Sequence, residues 1–108
     1  MDTLTIIVNG ELAYEYDKAT ELSEQQLTFL DKMDEDMARG IKIRGELIST
    51  PDRQQRATFI AMNLLKALMQ QDEAKIMVSC AYLCSRFPTL TEVQASDQDD
   101  GVAIELAE

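Results

Sequence analysis

Two runs of β-forming residues open the chain on either side of Asn9-Gly10. The runs read LTIIV and ELAYEY, and an Asn-Gly pair between such runs is a strong signal for a hairpin with a two-residue turn. That turn pairs Val8 with Glu11. Alternation then places the apolar residues of the two runs on opposite faces of the hairpin: Leu4, Ile6 and Val8 on one, and Leu12, Tyr14 and Tyr16 on the other. We therefore expect either a β-bulge that corrects the register or a sheet that is covered on both faces.

The apolar residues that follow recur with the spacing of an α-helix. Ser23 is a good N-cap and Gln26 stands at the capping-box position, so the helix is expected to begin there. It should run to about Arg39, with Gly40 as the residue after its end. At about 100° per residue the apolar side chains share one broad face: Leu27, Phe29, Leu30, Met33 and Met37. Asp34 falls inside that apolar face.

A second helix is predicted after the sequence STPDR. Thr50 is the expected N-cap and Pro51 the first helical residue, and the helix should reach about Gln70. It is apolar over most of its circumference, which is typical of a central helix. Its narrow polar strip contains one large aromatic residue, Phe59, among polar residues: Arg56, Asn63, Lys66 and Gln70.

A third helix should follow at once and lie antiparallel to the second. Asp72 is its expected N-cap, it runs from about Glu73 to Phe87, and Pro88 ends it. The stretch 41–48, before the second helix, is expected to be a short extended connector, with a β-bridge as the alternative. The sequence TLTEV after Pro88 is a candidate for a further short strand.

These elements predict an α+β fold in which an N-terminal β-hairpin packs on a three-helix unit. The alternative is a mostly α-helical bundle that carries the hairpin as an appendage. Since 108 residues are ordinary for one domain, we expect residues 1–93 to form a single compact domain. Residues 94–108 are expected to be an acidic, flexible C-terminal tail, because 94–101 have little apolar surface to bury. In the alternative, Val102, Ile104 and Leu106 alternate along an edge strand.

The charge of the chain is strongly acidic and uneven. The net charge is −10, whereas surfaces that bind nucleic acid are basic, so no nucleic acid is expected to bind through a basic surface. Residues 41–71 carry five bases and two acids, and residues 89–108 carry six acids and no base. No run reaches the roughly 18 apolar residues of a membrane span, and the N-terminal residues do not resemble a signal peptide. We therefore expect a cytoplasmic protein with no membrane partner.

Candidate chemistry is sparse. The chain has no histidine, the commonest general base and metal ligand. The two cysteines, Cys80 and Cys84, lie one helical turn apart at the centre of the third helix's apolar side, where free cysteine behaves as a small hydrophobe. Two thiols are too few for a structural zinc site, and the acidic run DKMDEDM lacks the pattern of a calcium loop. No metal, cofactor or catalytic residue is therefore predicted.

Asp34 is the one carboxylate in an unusual position. In one interpretation it lies at the edge of the apolar face, and its side chain reaches water or a backbone donor. In the other it is a buried or interfacial carboxylate, which requires a cationic partner such as Arg44, Arg53 or Arg56.

The remaining candidates are contact residues. On the third helix Lys75, Ser79, Tyr82 and Arg86 form a polar stripe, which is either its solvated side or a surface for a partner. The interaction candidates are therefore Phe59, Lys66, Lys75, Tyr82 and Arg86.

Three function hypotheses follow from these residues. The first is a non-catalytic protein–protein interaction module, which binds a protein partner or forms a homodimer. The second is a small-ligand-binding or enzymatic domain that uses Asp34 with an arginine and Tyr82. The third is an acidic mimic that binds a basic surface.

Overall fold

The computed structural model describes residues 3–43, 45–98 and 101–108 and shows an α+β fold, as predicted. In chain order the elements are β1 (Thr3–Val8), β2 (Glu11–Asp17), α1 (Glu24–Ala38), β3 (Ile41–Ile43), β4 (Glu46–Ile48), α2 (Arg53–Gln70), α3 (Glu73–Arg86), β5 (Glu92–Gln98) and β6 (Gly101–Ala107). Among the helices so described, none is both long and apolar enough to cross a membrane.

Four strands form one sheet in the order β2-β1-β5-β6. The β1–β2 and β5–β6 pairs are antiparallel, whereas β1 and β5 are parallel, with Thr5 opposite Glu92 and Val8 opposite Ala95. The predicted hairpin is therefore half of a larger sheet, not an appendage of a helical bundle. The stretch expected as a connector forms a second, two-stranded sheet, β3–β4, in which Gly45 turns the chain with φ +80°.

A β-bulge corrects the register of the first hairpin, which was one of the two expected solutions. Ile6 pairs with Tyr14 but Ile7 pairs with Leu12, so Ala13 is the extra residue. Beyond the bulge, Tyr14 shares the core face with Ile6, while Leu12 turns to the other face and is exposed. One face of the hairpin thereby becomes apolar enough to pack on the helices.

Residues 94–98 and 101–107 lie in β5 and β6, so the alternative of an edge strand describes residues 102–106 and the expectation of a flexible tail is corrected. β5 continues through the boundary expected at residue 93, and β6 pairs with β5 from Gly101 opposite Gln98 to Ala107 opposite Glu92. The prediction of a flexible tail, made from the low apolar content, was wrong because the polar residues of β5 alternate with Val93 and Ala95. These two side chains are buried in the middle of the sheet. Strand pairing supplies the backbone hydrogen bonds of the segment regardless of its polarity.

The helix N-termini follow the predicted capping chemistry with one correction. Ser23 and Gln26 form the expected capping box of α1, and Asp72 caps α3. The N-cap of α2 is Asp52, not Thr50, because Asp52 and Gln55 form a reciprocal capping box that begins the helix two residues later.

The core lies between one face of the four-stranded sheet and the helices. The most deeply buried side chains of the sheet and of the helices meet there: Leu4, Ile6, Val93, Ile60, Leu64 and Leu83. α1 is held by less apolar contact, since only Leu30 and Met37 of this helix are buried. Leu27 and Phe29, expected on the same apolar face, are 44% and 49% exposed.

Removing residues 99–108 should destabilise the protein, because it takes β6 from the sheet. Val102, Ile104 and Leu106 are half-buried, and Ile104 and Leu106 pack against the core. From about 1.5–3 kcal/mol for a fully buried aliphatic side chain, we expect the free energy of unfolding to fall by about 3 kcal/mol. Urea denaturation measures the change, with removal of Glu108 alone as the control. An unchanged unfolding midpoint would show that β6 adds no stability.

Candidate functional site

The carboxylate of Asp34 joins α1 to α3. It accepts a hydrogen bond from the Tyr82 hydroxyl at Oδ1 and one from Arg86 Nε at Oδ2, the latter over 2.9 Å. The Asp34 side chain is 30% exposed, so the carboxylate is paired but not fully buried. Of the two interpretations of Asp34, the paired carboxylate is therefore the one observed.

Arg86 is fixed by contacts on several sides. Besides its bond to Asp34, its Nη2 donates to Asp31 Oδ1 over 3.0 Å and its Nη1 donates to Ser85 Oγ over 2.9 Å. The Arg86 guanidinium also lies 5.5 Å from the centroid of the Tyr82 ring. These contacts hold the guanidinium as a rigid wall of the site.

Two arginines of α2 complete the cluster. Arg56 Nη1 lies 3.7 Å from Asp34 Oδ1, which is an ion pair but too long for a hydrogen bond. Arg53 Nη2 donates to the main-chain carbonyl of Arg86 over 3.0 Å, and its guanidinium lies 4.6 Å from the centroid of the Phe87 ring. Of the three predicted partners of Asp34, Arg56 is in place, Arg53 is a neighbour, and Arg44 lies outside the described residues.

These side chains line an open cleft of about 550 Å³ between the three helices. Its walls combine three guanidinium groups, one carboxylate and two aromatic rings: Arg53, Arg56, Arg86, Asp34, Tyr82 and Phe87, with Pro51 at the start of α2. We call this the arginine cleft.

The electrostatics of the cluster favour the protonated tyrosine. Burial raises the pKa of Tyr82 well above its ordinary value, and the hydrogen bond to Asp34 raises it further. For Arg86, partial burial lowers the pKa, but the hydrogen bond and the charge of Asp34 outweigh it, so the pKa lies above its ordinary value. Tyr82 is thus a hydrogen-bond donor and Arg86 a cation over the whole physiological range.

The predicted contact stripe of α3 is divided by the structure. Tyr82 and Ser79 are buried, so this side of α3 is not simply its solvated side. Arg86 faces Asp34, whereas Lys75 is exposed and forms an ion pair with Asp72 over 3.8 Å. The second function hypothesis combines Asp34 with Tyr82 and an arginine, but it does not name Arg86 as that arginine. The signal for it is that Tyr82 and Arg86 lie one turn apart on α3, so both can reach one carboxylate.

A second surface lies where α2 runs beside β6. Phe59 and Lys66 line a hollow of about 250 Å³ there, together with several apolar residues: Met62, Leu65, Met69, Val102 and Ile104. A second hollow, of about 410 Å³, lies at the other end of the same junction and is lined by Arg53, Ala57, Leu106 and Glu108 among others. We call the two hollows together the α2–β6 groove. The predicted contact residues Phe59 and Lys66 thus belong to one surface.

Both cysteines are free thiols. Cys80 is fully buried, as predicted, and burial raises its pKa to about 12. Cys84 is half-buried and packs against the core, and burial raises its pKa as well. In residues 3–43, 45–98 and 101–108, no three histidine, cysteine or acidic side chains are grouped so that they could hold a metal ion.

Comparison with protein-family models, with curated proteins and with solved structures gave no match. Support for a function therefore comes from the residues described above and their geometry.

Replacing Asp34 with alanine should destabilise the protein, because the buried Tyr82 hydroxyl and the Arg86 guanidinium lose their shared acceptor. Loss of a hydrogen-bond partner of this kind costs about 1–3 kcal/mol. The free energy of unfolding in urea measures the effect, and Asp36→Ala, an exposed acid on the same helix, is the matched control. A loss for Asp34→Ala no larger than for Asp36→Ala would show that these contacts add no net stability.

The two thiols should react at different rates with a thiol reagent. Cys80 is fully buried with a raised pKa, so it should react only after unfolding, whereas the half-buried Cys84 should react in the native protein. Mass spectrometry of labelled native protein distinguishes the two sites, and labelling in urea supplies the fully reactive reference. Equal native rates at both sites would contradict the observed burial.

Proposed function

We propose that this protein is a non-catalytic interaction module that forms a homodimer through the α2–β6 groove. The single observation that carries the proposal is the apolar surface beside an edge strand: Met69 is 81% exposed and lines the groove with Phe59, next to Val102 and Ile104 of β6. An edge strand offers unpaired backbone donors and acceptors to another chain. Exposed apolar side chains beside the strand would be buried in the interface, and this burial would stabilise the pairing of the two strands.

The charge of the two edge strands favours β6 over β2 as the contact. Proteins protect edge strands against pairing with charged side chains. β2 carries three acids in seven residues, Glu11, Glu15 and Asp17, whereas β6 carries Glu105 as its single charge. In an antiparallel pair of two β2 strands centred on Tyr14, Glu11 would face Asp17 of the other copy, and like charges opposite each other are unfavourable.

An antiparallel pair of two β6 strands has a self-complementary register. Centred on Ile104, it places Val102 opposite Leu106 on the core side and Ala103 opposite Glu105 on the other side, so no two charges face each other. Such a two-fold contact is the usual form of a homodimer interface. It would join two four-stranded sheets into one of eight strands and bring the two α2 helices towards each other.

Two other functions rank behind this one. An enzyme at the arginine cleft would need a carboxylate available to substrate, but Asp34 already accepts from Tyr82 and Arg86. An acidic mimic would need its acids on one continuous face, but exposed acids are distributed over α1, β2 and β6. A cytoplasmic location remains part of the proposal, since both thiols are free, as is usual in a reducing compartment.

Replacing Met69 with glutamate should weaken dimerisation without unfolding the monomer. The new carboxylate would be buried in the interface without a partner, so we expect the dimer dissociation constant to rise about tenfold or more. Met69 is preferable to Phe59 because Phe59 also packs against the core, which would confuse dissociation with unfolding. Sedimentation velocity at several protein concentrations measures the equilibrium.

Met77→Glu is the matched control, because Met77 is an exposed methionine on α3 that does not line the groove. Its dissociation constant should equal that of the unmodified protein. A monomer at high micromolar concentration would refute the homodimer. An equal rise of the dissociation constant in Met69→Glu and Met77→Glu would show that the groove is not the dimer interface.

A further inference from the structure

Arg56 has hydrogen-bonding capacity that its surroundings leave unused. Among the described residues, its guanidinium forms one ion pair, with Asp34 over 3.7 Å, and no hydrogen bond. Its side chain is 29% exposed, so the group is partly withdrawn from water as well. A guanidinium carries five N–H donors in a planar fork that suits carboxylate and phosphate oxygens.

The charge around Arg56 is positive although the protein is acidic. Three arginines line the cleft against one carboxylate, Asp34, which leaves +2 among the lining side chains in a chain of net charge −10. The charge of Asp34 is already satisfied by Arg86 and Tyr82. Arg53 uses one N–H on the Arg86 carbonyl and keeps others, so Arg53 and Arg56, one turn apart on α2, both have donors to offer.

The shape of the cleft suits a small molecule. Its volume of about 550 Å³ lies within the range of roughly 300–1,000 Å³ typical of ligand pockets. The rings of Tyr82 and Phe87 are buried behind the guanidinium groups of Arg86 and Arg53, so the surface that a ligand meets is mainly cationic. Arg86 is held on several sides, which keeps this wall in place when a ligand enters.

We infer that the arginine cleft binds the phosphate or carboxylate group of a small molecule, with Arg56 as its main donor and Arg53 as the second. Asp34 and Arg86 are positioning residues, since they fix the wall of the cleft and orient Arg56. Phosphate and carboxylate share the chemistry that the fork recognises, because both present two or more oxygens with negative charge. Arg53 and Phe87 line both this cleft and the hollow of about 410 Å³ in the α2–β6 groove that we propose for dimerisation. Arg56, the main donor, lines the cleft and not the groove.

Binding is tested with inorganic phosphate, phenyl phosphate and benzoate, in buffers of equal ionic strength set with sodium chloride. The arginine side-chain N–H resonances report the titration of the full chain. We expect saturable shifts centred on Arg56 for at least one probe. Tighter binding of phenyl phosphate assigns a phosphate monoester with an apolar body, whereas tighter binding of benzoate assigns a carboxylate.

Arg56→Gln should weaken the best probe about tenfold or more, because it removes charge-assisted hydrogen bonds. Arg56→Lys keeps the charge without the planar fork and should recover part of the affinity. Arg39→Gln is the matched control, since Arg39 is exposed and does not line the cleft. Circular dichroism and the unfolding midpoint of each variant establish that the fold is kept.

Three results would overturn the inference: no saturable shift with any probe into the millimolar range, unchanged affinity in folded Arg56→Gln, or equal weakening by Arg39→Gln. Met69→Glu separates this inference from the proposed dimer. This substitution should leave the affinity for the probes unchanged, whatever its effect on self-association. Ligand binding in the cleft and dimerisation through the groove can therefore be refuted independently.

Discussion

The parallel pairing of β1 with β5 is the constraint on which the rest of the architecture depends. Parallel neighbours require a long connection that leaves the sheet and returns to it, and here everything from β2 to α3 lies between Thr5 and its partner Glu92. The helices therefore cover one face, β1 and β5 are the central strands, and their hairpin partners β2 and β6 are the edge strands. β6 becomes an edge strand beside α2 for this reason, although it is far from α2 in sequence.

α2 links the two surfaces with functional interest. Arg53 and Arg56, in its first turn, supply the arginine cleft, whereas Phe59, Met62 and Met69 further along it line the groove beside β6. The same helix contributes five buried side chains to the core, so its position is fixed by packing on the sheet. Polar recognition at Arg56 and apolar contact at Met69 thus lie at different places on one helix, and Arg53 borders both surfaces.

Local signals in the sequence were enough for the helices and the first hairpin, because caps, Asn9-Gly10 and the apolar spacing act over a few residues. The parallel β1–β5 pair was beyond such reasoning, since it joins distant segments. The same limit explains the strand in residues 101–107, whose stability comes from a partner and not from composition. Burial of Tyr82 was missed because it depends on how α1 crosses α3, which periodicity does not specify.

α1 is held differently from the other helices, and this has a consequence for dynamics. It buries two side chains, against five in α2 and six in α3, and Asp34 supplies much of its polar attachment. Elements with little buried apolar contact open locally at free energies below that of global unfolding. We expect α1 to detach while the sheet, α2 and α3 stay folded, which amide hydrogen exchange would resolve by faster exchange in α1 than in α2. The arginine cleft would then lose the carboxylate of Asp34, and Arg56 and Arg86 would have no acidic partner until α1 packs against the other helices again.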